Sequence, residues 1–221
     1  MNMRKPHKHL LLVEGEEDKR VLPQLLEKCS IPWGEKYERD KWPADIIEGG
    51  GIERLLEAGV IEGYLKSPGL EALGVIVDAN SNPIARWQSI RSRAIGSMPT
   101  IPEHLPGDGL IMENNYGLRF GLWIMPDCSS RGMLETFLSL FINDQTATLW
   151  DYLKTHCNFA KLNHHAPFKD NHRDKALIHA WLALQNPPGQ QLHSAIIQNI
   201  LKPNSPYADS FLNWFRKLYR V

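Results

Sequence analysis

Three cysteines, Cys29, Cys128 and Cys157, are all this chain carries. They are few, odd in number and far apart, which argues against a disulfide framework and fits a reducing, cytoplasmic compartment. An excess of either charge is also missing, because 25 Lys and Arg balance 25 Asp and Glu. Zero net charge argues against strong, indiscriminate attraction to nucleic acid or anionic membranes, and leaves room for a local basic groove. No apolar run approaches the roughly 18 residues of a bilayer span, so no membrane partner is expected. The basic start of the chain is followed only by Leu10–Val13 before Glu14, too short an apolar stretch for a secretory signal. Internal repeats and low-complexity tracts are absent. So is Gly-x-Ser-x-Gly, and no Ser, His and Asp arrangement reads as a nucleophilic triad. Gly49-Gly50-Gly51 lacks the Lys-Ser/Thr ending of a P-loop and reads as a tight turn. The 221 residues, 43% hydrophobic and 23% charged, suffice for one domain with a proper core, or one domain and a small appendage.

What the chain does have is a pair of apolar runs that stop abruptly at a carboxylate. His9-Leu10-Leu11-Leu12-Val13 ends at Glu14-Gly15, followed by Glu16-Glu17-Asp18. Leu73-Gly74-Val75-Ile76-Val77 ends at Asp78-Ala79-Asn80. Strands buried on both faces of a parallel sheet read this way. Open α/β sheets bind ligands beyond the carboxyl ends of their strands. A Glu and an Asp delivered there offer hard oxygen ligands, which suit Mg²⁺.

The order of elements supports a parallel sheet. After the first strand, Val21, Leu22, Leu25, Leu26 and Cys29 recur at helical spacing. Pro23 fits that helix best if it starts near Asp18. Ala44–Glu48 is a second strand, a helix over Ile52–Leu65 follows, and Leu73–Val77 is the third strand. Ile84–Ile95 is helical, with Arg86, Arg91 and Arg93 on its polar side. This strand–helix alternation predicts an α/β fold with a mainly parallel central sheet flanked by helices. Gly109–Glu113 and Leu118–Met125 form a hairpin around Asn114–Gly117, the second arm joining the main sheet. Gly132-Met133-Leu134-Glu135 opens another helix. From Gln145 onward only helices are expected, over Leu149–Cys157, Arg173–Leu184, Leu192–Leu201 and Ala208–Leu218. Asn186–Gly189 and Lys202–Pro206 are the breaks between them. The division is an α/β domain over 8–142 and a helical extension over 143–221, anchored by Trp181, Phe211, Trp214 and Phe215.

Each candidate residue has a plainer competing role. Glu14 and Asp18 lie one turn apart if the helix starts promptly, and then face one point. The acids at 16–18 would equally complement a helix dipole. Asp78 and Asn80 project to one side if the backbone stays extended, and would equally build an Asx turn before Pro83. Glu135 is a further candidate ligand. Asp127 reads more readily as a residue favoured near a helix N-terminus. Lys175 would neutralise developing charge on a phosphoryl oxygen, or else belong to a solvated face. Arg86, Arg91 and Arg93 are phosphate contacts or a charged helix face. Cys157, His164, His165 and His172 match no standard zinc spacing.

Taken together, Val13-Glu14-Gly15-Glu16-Glu17-Asp18 and Val75-Ile76-Val77-Asp78-Ala79-Asn80 resemble the Toprim (topoisomerase–primase) superfamily. The resemblance extends through Arg86-Trp87, Gly121–Asp127, Gly132–Glu135 and Lys175–Ala183, in the manner of a small stand-alone Toprim-related bacterial family. It implies a Rossmannoid Toprim-like core over roughly Lys8–Ile142 and Mg²⁺ or Mn²⁺ as cofactor. It also implies metal roles for Glu14, Asp78 and the Asn80 position. Asp18, Glu135 and Lys175 look similar to the added acidic and basic residues of the overcoming-lysogenization-defect nucleases. Asn80 stands where the superfamily motif has Asp, and its amide offers an oxygen without charge. The implied function is a metal-dependent phosphodiesterase acting on nucleic acid, a nuclease, with Glu14, Asp78 and Lys175 in the chemistry. The alternative is a metal- or nucleotide-binding module without turnover in a larger assembly. The helical tail has three roles open to it: covering the site, forming a homo-oligomer surface or completing the core.

Overall fold

The computed structural model describes residues 7–35, 38–203 and 206–221. Asn204 and Ser205, in the last expected break, lie outside them. Five strands form one sheet: β1 (His9–Val13), β2 (Asp45–Glu48), β3 (Ala72–Asp78), β4 (Leu110–Glu113) and β5 (Arg119–Met125). Their order is β2-β1-β3-β5-β4. All neighbours are parallel except β4 and β5, the expected hairpin.

The order contains the feature that positions the site. The chain leaves β1, crosses through α1 (Glu16–Lys28) and returns as β2 on one side of it. It then crosses through α2 (Ile52–Leu55) and α3 (Val60–Leu65) to β3 on the other side. The carboxyl ends of β1 and β3 therefore flank a topological switch point, where α/β sheets open a crevice. Register adds to this: Val13 pairs with Glu48 and with Ile76, so Glu14, Glu48 and Asp78 all arrive at the same rim.

Strand alternation divides the core between the two faces. Leu11, Val13, Ile76, Trp123 and Met125 pack with α1 and with the C-terminal helices. Leu12, Val75, Val77, Leu122 and Ile124 pack on the other side with α2, α3 and α4 (Pro83–Ala94). The remaining helices are α5 (Leu134–Ser139), α6 (Asp144–Asn163), α7 (Arg173–Ala183), α8 (Leu192–Ile197) and α9 (Asp209–Tyr219). Trp181, Phe211, Trp214 and Phe215 are all buried, as expected of packing anchors. In α9, Phe211, Trp214, Phe215, Leu218 and Tyr219 recur at the spacing of one helix face, and that face lies against the sheet. Gly74 and Gly121 leave the room it needs: a Cβ would fall 2.3 Å from the Tyr219 hydroxyl and 2.5 Å from Leu218.

Several local expectations are corrected. Helix α1 begins at Glu16 and not near Asp18, so Pro23 is interior and the Lys19 carbonyl lacks its usual helical donor. The single helix expected over 52–65 is two, broken where Gly59 turns left-handed at φ +85°. Helix α8 ends at Ile197, short of Leu201, and Asn199 adopts a left-handed φ of 57°. Helix α6 is longer than its apolar pattern, running to Asn163. Among the described residues no helix is long and apolar enough to cross a membrane.

Candidate functional site

The crevice at the switch point is a cleft of about 610 Å³ whose walls include Glu14, Asp18, Asp78, Asn80, Glu135 and Lys175. These six residues span more than 150 positions of sequence, yet five elements bring them together. Glu14 follows β1, and Asp18 sits in the first turn of α1. Asp78 is the last residue of β3, and in phase with Ala72, Gly74 and Ile76 it faces the α1 side. Glu135 opens α5, and Lys175 lies in the first turn of α7.

Each of three carboxylates is oriented by one backbone amide. The Asp78 amide donates to Glu14 Oε1 at 2.8 Å, the Leu134 amide to Asp78 Oδ1 at 2.9 Å, and the Gly15 amide to Asp18 Oδ2 at 3.0 Å. Among the described residues, the second oxygen of Glu14 and of Asp78 has no protein hydrogen bond. Arg86 Nε donates to the Asp78 carbonyl at 2.8 Å and Arg91 Nε to the Pro102 carbonyl at 2.8 Å. Both guanidinium groups are thus used to fix backbone, a role sequence patterning did not identify.

Charge is crowded here. Burial raises the Glu14 pKa against the opposing pull of the Asp78 amide and Arg86. Burial, together with the Glu14 and Glu135 charges, pushes Asp18 up to about 7. Asp78 rises well above the usual carboxylate range, through burial and then repulsion from Glu14, Asp18 and Glu135. Glu135 is buried and pairs with Lys175 Nζ at 3.1 Å. Burial alone would lower the Lys175 pKa, but the charge and hydrogen bond of Glu135 outweigh it and raise it.

The path to Asn80 differs from the expected one. Its φ of 52° is left-handed, so strand alternation does not carry Asp78 and Asn80 to one side. Asn80 instead exchanges two backbone hydrogen bonds with Gly132, at 2.7 and 2.9 Å. Asn tolerates that conformation better than most residues. The bridge brings the loop after β3 against the start of α5, and Asn80 still borders the cleft. Asp127 is not among the wall residues. Its carboxylate accepts from the amides and hydroxyls of Ser129 and Ser130, which closes a turn.

Sequence reasoning missed other walls of the cleft: Glu48, Gly51, Asn171 and the acids Glu16 and Glu17, considered only for the helix dipole. Glu48 was findable, since it closes β2 as Glu14 closes β1. His172, weighed above for zinc, also borders the acidic cleft. Among the described residues no three His, Cys, Asp or Glu side chains are already gathered as a metal-ligand set. The donor chemistry of the acidic residues nonetheless fits a hard divalent ion: carboxylate oxygens, three of them on groups whose charge is disfavoured without a cation, and a sealed Glu17 Oε1 that has no hydrogen-bond partner among the described residues.

A family model described as a protein of unknown function, DUF3226, matches residues 8–220. The chain belongs to this family. Three solved structures of the C-terminal region of the Xanthomonas campestris pv. campestris OLD protein are similar to this DUF3226 chain. They were phased with mercury, iodine and platinum. Identities are 15%, 16% and 15%, with TM-scores of 0.42, 0.41 and 0.41. The alignments cover 97% of this chain and 97%, 96% and 94% of those chains. No curated protein matches the sequence.

Proposed function

We propose that the protein is a Mg²⁺- or Mn²⁺-dependent phosphodiesterase of Toprim type that acts on nucleic acid as a nuclease. The observation that carries this reading is the meeting of Glu14, Asp18, Asp78 and Glu135, with Lys175, in one cleft at the switch point. Glu14, Asp78 and Asn80 would hold one ion, and Asp18 and Glu135 a second. When bound, the ions supply a water of lowered pKa and polarise a phosphoryl oxygen. The backbone amides of Asp78, Leu134 and Gly15 hold Glu14, Asp78 and Asp18 in fixed orientations, so little reorganisation is needed. Near neutral pH the Asp18 carboxyl is partly protonated without metal, and Asp18 would give up that proton on holding an ion. Lys175 donates to the charge that develops on the phosphoryl oxygens.

Asn80 favours a second reading, a metal-binding module without turnover, because an amide lends an oxygen without charge. One experiment separates the two. The purified protein is incubated with supercoiled plasmid and with short single strands, in Mg²⁺ and in Mn²⁺, beside Glu14→Gln. Metal-dependent cleavage that the variant lacks is the expected result. Calorimetric metal binding without cleavage supports the module, and absence of any metal binding overturns both readings.

A further inference from the structure

We propose that Glu17 and Glu135 form a cation position that Lys175 fills until a divalent ion displaces it. This rests on the reading of the cleft as a metal centre, and adds to it a ligand, Glu17, and a built-in competitor, Lys175.

The ion pair is lopsided. The Glu135 side chain is 5% exposed, whereas its partner Lys175 is 49% exposed. A carboxylate so deeply buried requires a counter-charge. The one it has comes from a flexible stem that already reaches water. A lysine ammonium is a compact, strongly hydrated charge without the fixed fork of a guanidinium, so it exchanges a protein partner for solvent readily.

Glu17 supplies the second observation. Its Oε1 is sealed from solvent and, among the described residues, has no hydrogen-bond donor. Native proteins rarely leave a buried acceptor in that state. Glu17 precedes Asp18 in the first turn of α1, and with Glu135 and Lys175 it borders the same cleft. A divalent ion seated there would satisfy Glu17 Oε1 and take Glu135 from Lys175. The freed ammonium would remain at the mouth of the cleft, where a phosphate group would enter.

The base of Lys175 is meanwhile held in place. Thr136 Oγ1 donates to Asp174 Oδ2 at 2.5 Å and accepts from the Met133 amide at 3.0 Å. The start of α7 is thereby tied to the start of α5, so the side chain can swing while the helix stays. Lys175 then has two states: counter-ion to Glu135 without metal, and phosphate-facing cation with it.

The test is calorimetric titration of Mn²⁺ into the full chain and into Lys175→Met, Glu17→Gln and Glu14→Gln. Removing the competitor should tighten one site about tenfold in Lys175→Met, as expected when a conformational tax is lifted. Glu17→Gln should weaken that same site and leave the other, which Glu14→Gln should abolish. Because Lys175→Met leaves Glu135 unpaired, a second measurement uses the unaltered side chain. Lysines are reductively ¹³C-methylated, which preserves their charge, and the Lys175 signal is assigned by its loss in Lys175→Arg. On titration with Mg²⁺ it should move to the position of solvated lysines. If Mn²⁺ binds and requires Glu14, but Lys175→Met and Glu17→Gln bind as the wild type and the Lys175 signal stays, the inference fails and the metal centre stands. If neither the wild type nor Lys175→Met binds Mn²⁺, the metal centre itself is overturned, and the inference with it.

Discussion

The Asp78 amide donates a hydrogen bond to Glu14 Oε1, at 2.8 Å, across the crevice between β1 and β3. A residue expected only as a metal ligand is thus also the acceptor that joins two strand ends. Its structural and chemical roles are separable by substitution. Glu14→Ala leaves a partly buried amide without a partner and should cost about 1–3 kcal/mol in urea denaturation. Glu14→Gln keeps an oxygen acceptor and removes a charge that Asp78 and Asp18 repel. It should therefore be no less stable than the wild type at pH 8 without metal, while losing metal affinity.

The raised carboxylate pKa values set a stability window in the metal-free protein. Asp18 moves from 3.8 unfolded to about 7 folded, so between these values the folded state binds more protons. Stability that is full below pH 4 is therefore lost as pH rises through 7, by an amount on the order of a few kcal/mol. Asp78, shifted in the same direction, adds to the loss. Denaturation in EDTA should give lower stability at pH 8 than at pH 5. Saturating Mg²⁺ should close most of that gap, and Asp18→Asn should reduce it without metal.

Thr136 is the joint between the core and the helical tail at the site. Thr136→Val removes the acceptor of the Met133 amide and the donor to Asp174 together. A loss of about 1–3 kcal/mol is expected. The Lys175–Glu135 pair should loosen with it, read as broadening of the Lys175 signal in methyl-lysine NMR. Thr136→Ser, which keeps the hydroxyl, should restore both.

Asn80 is suited to its left-handed backbone as well as to its place in the cleft. Asp tolerates the same conformation and adds a charge beside Asp78. Asn80→Asp should fold, lose stability without metal at pH 8, and bind Mg²⁺ more tightly by calorimetry.

Two glycines test the seat of the last helix. Gly121→Ala drives a Cβ to 2.5 Å from the buried Leu218 side chain, and Gly74→Ala to 2.3 Å from the Tyr219 hydroxyl. The Tyr219 hydroxyl also donates to the Leu10 carbonyl at 2.7 Å. Each substitution should cost about 1–3 kcal/mol by overpacking. Protease cleavage near the C-terminus should increase, because α9 must lift for either methyl group to fit.

The strands, their parallel sense and the acids that end them were all legible in the sequence, and it marked them for a physical reason. Buried parallel strands need continuous apolar runs, and a carboxylate closing such a run has nowhere to be but the rim. It determined the packing anchors of α9 too, because large apolar side chains at helical spacing leave few alternatives to burial. The order β2-β1-β3 was settled by tertiary packing: several arrangements satisfy one alternation of strands and helices, and Glu14 lies beside Asp78 because β1 and β3 are neighbours in this one. The same is true of Glu135 facing Lys175, 40 residues away, and of the sealed oxygen of Glu17. Pairing and desolvation depend on which surfaces close over a residue, and no local pattern along the chain encodes that.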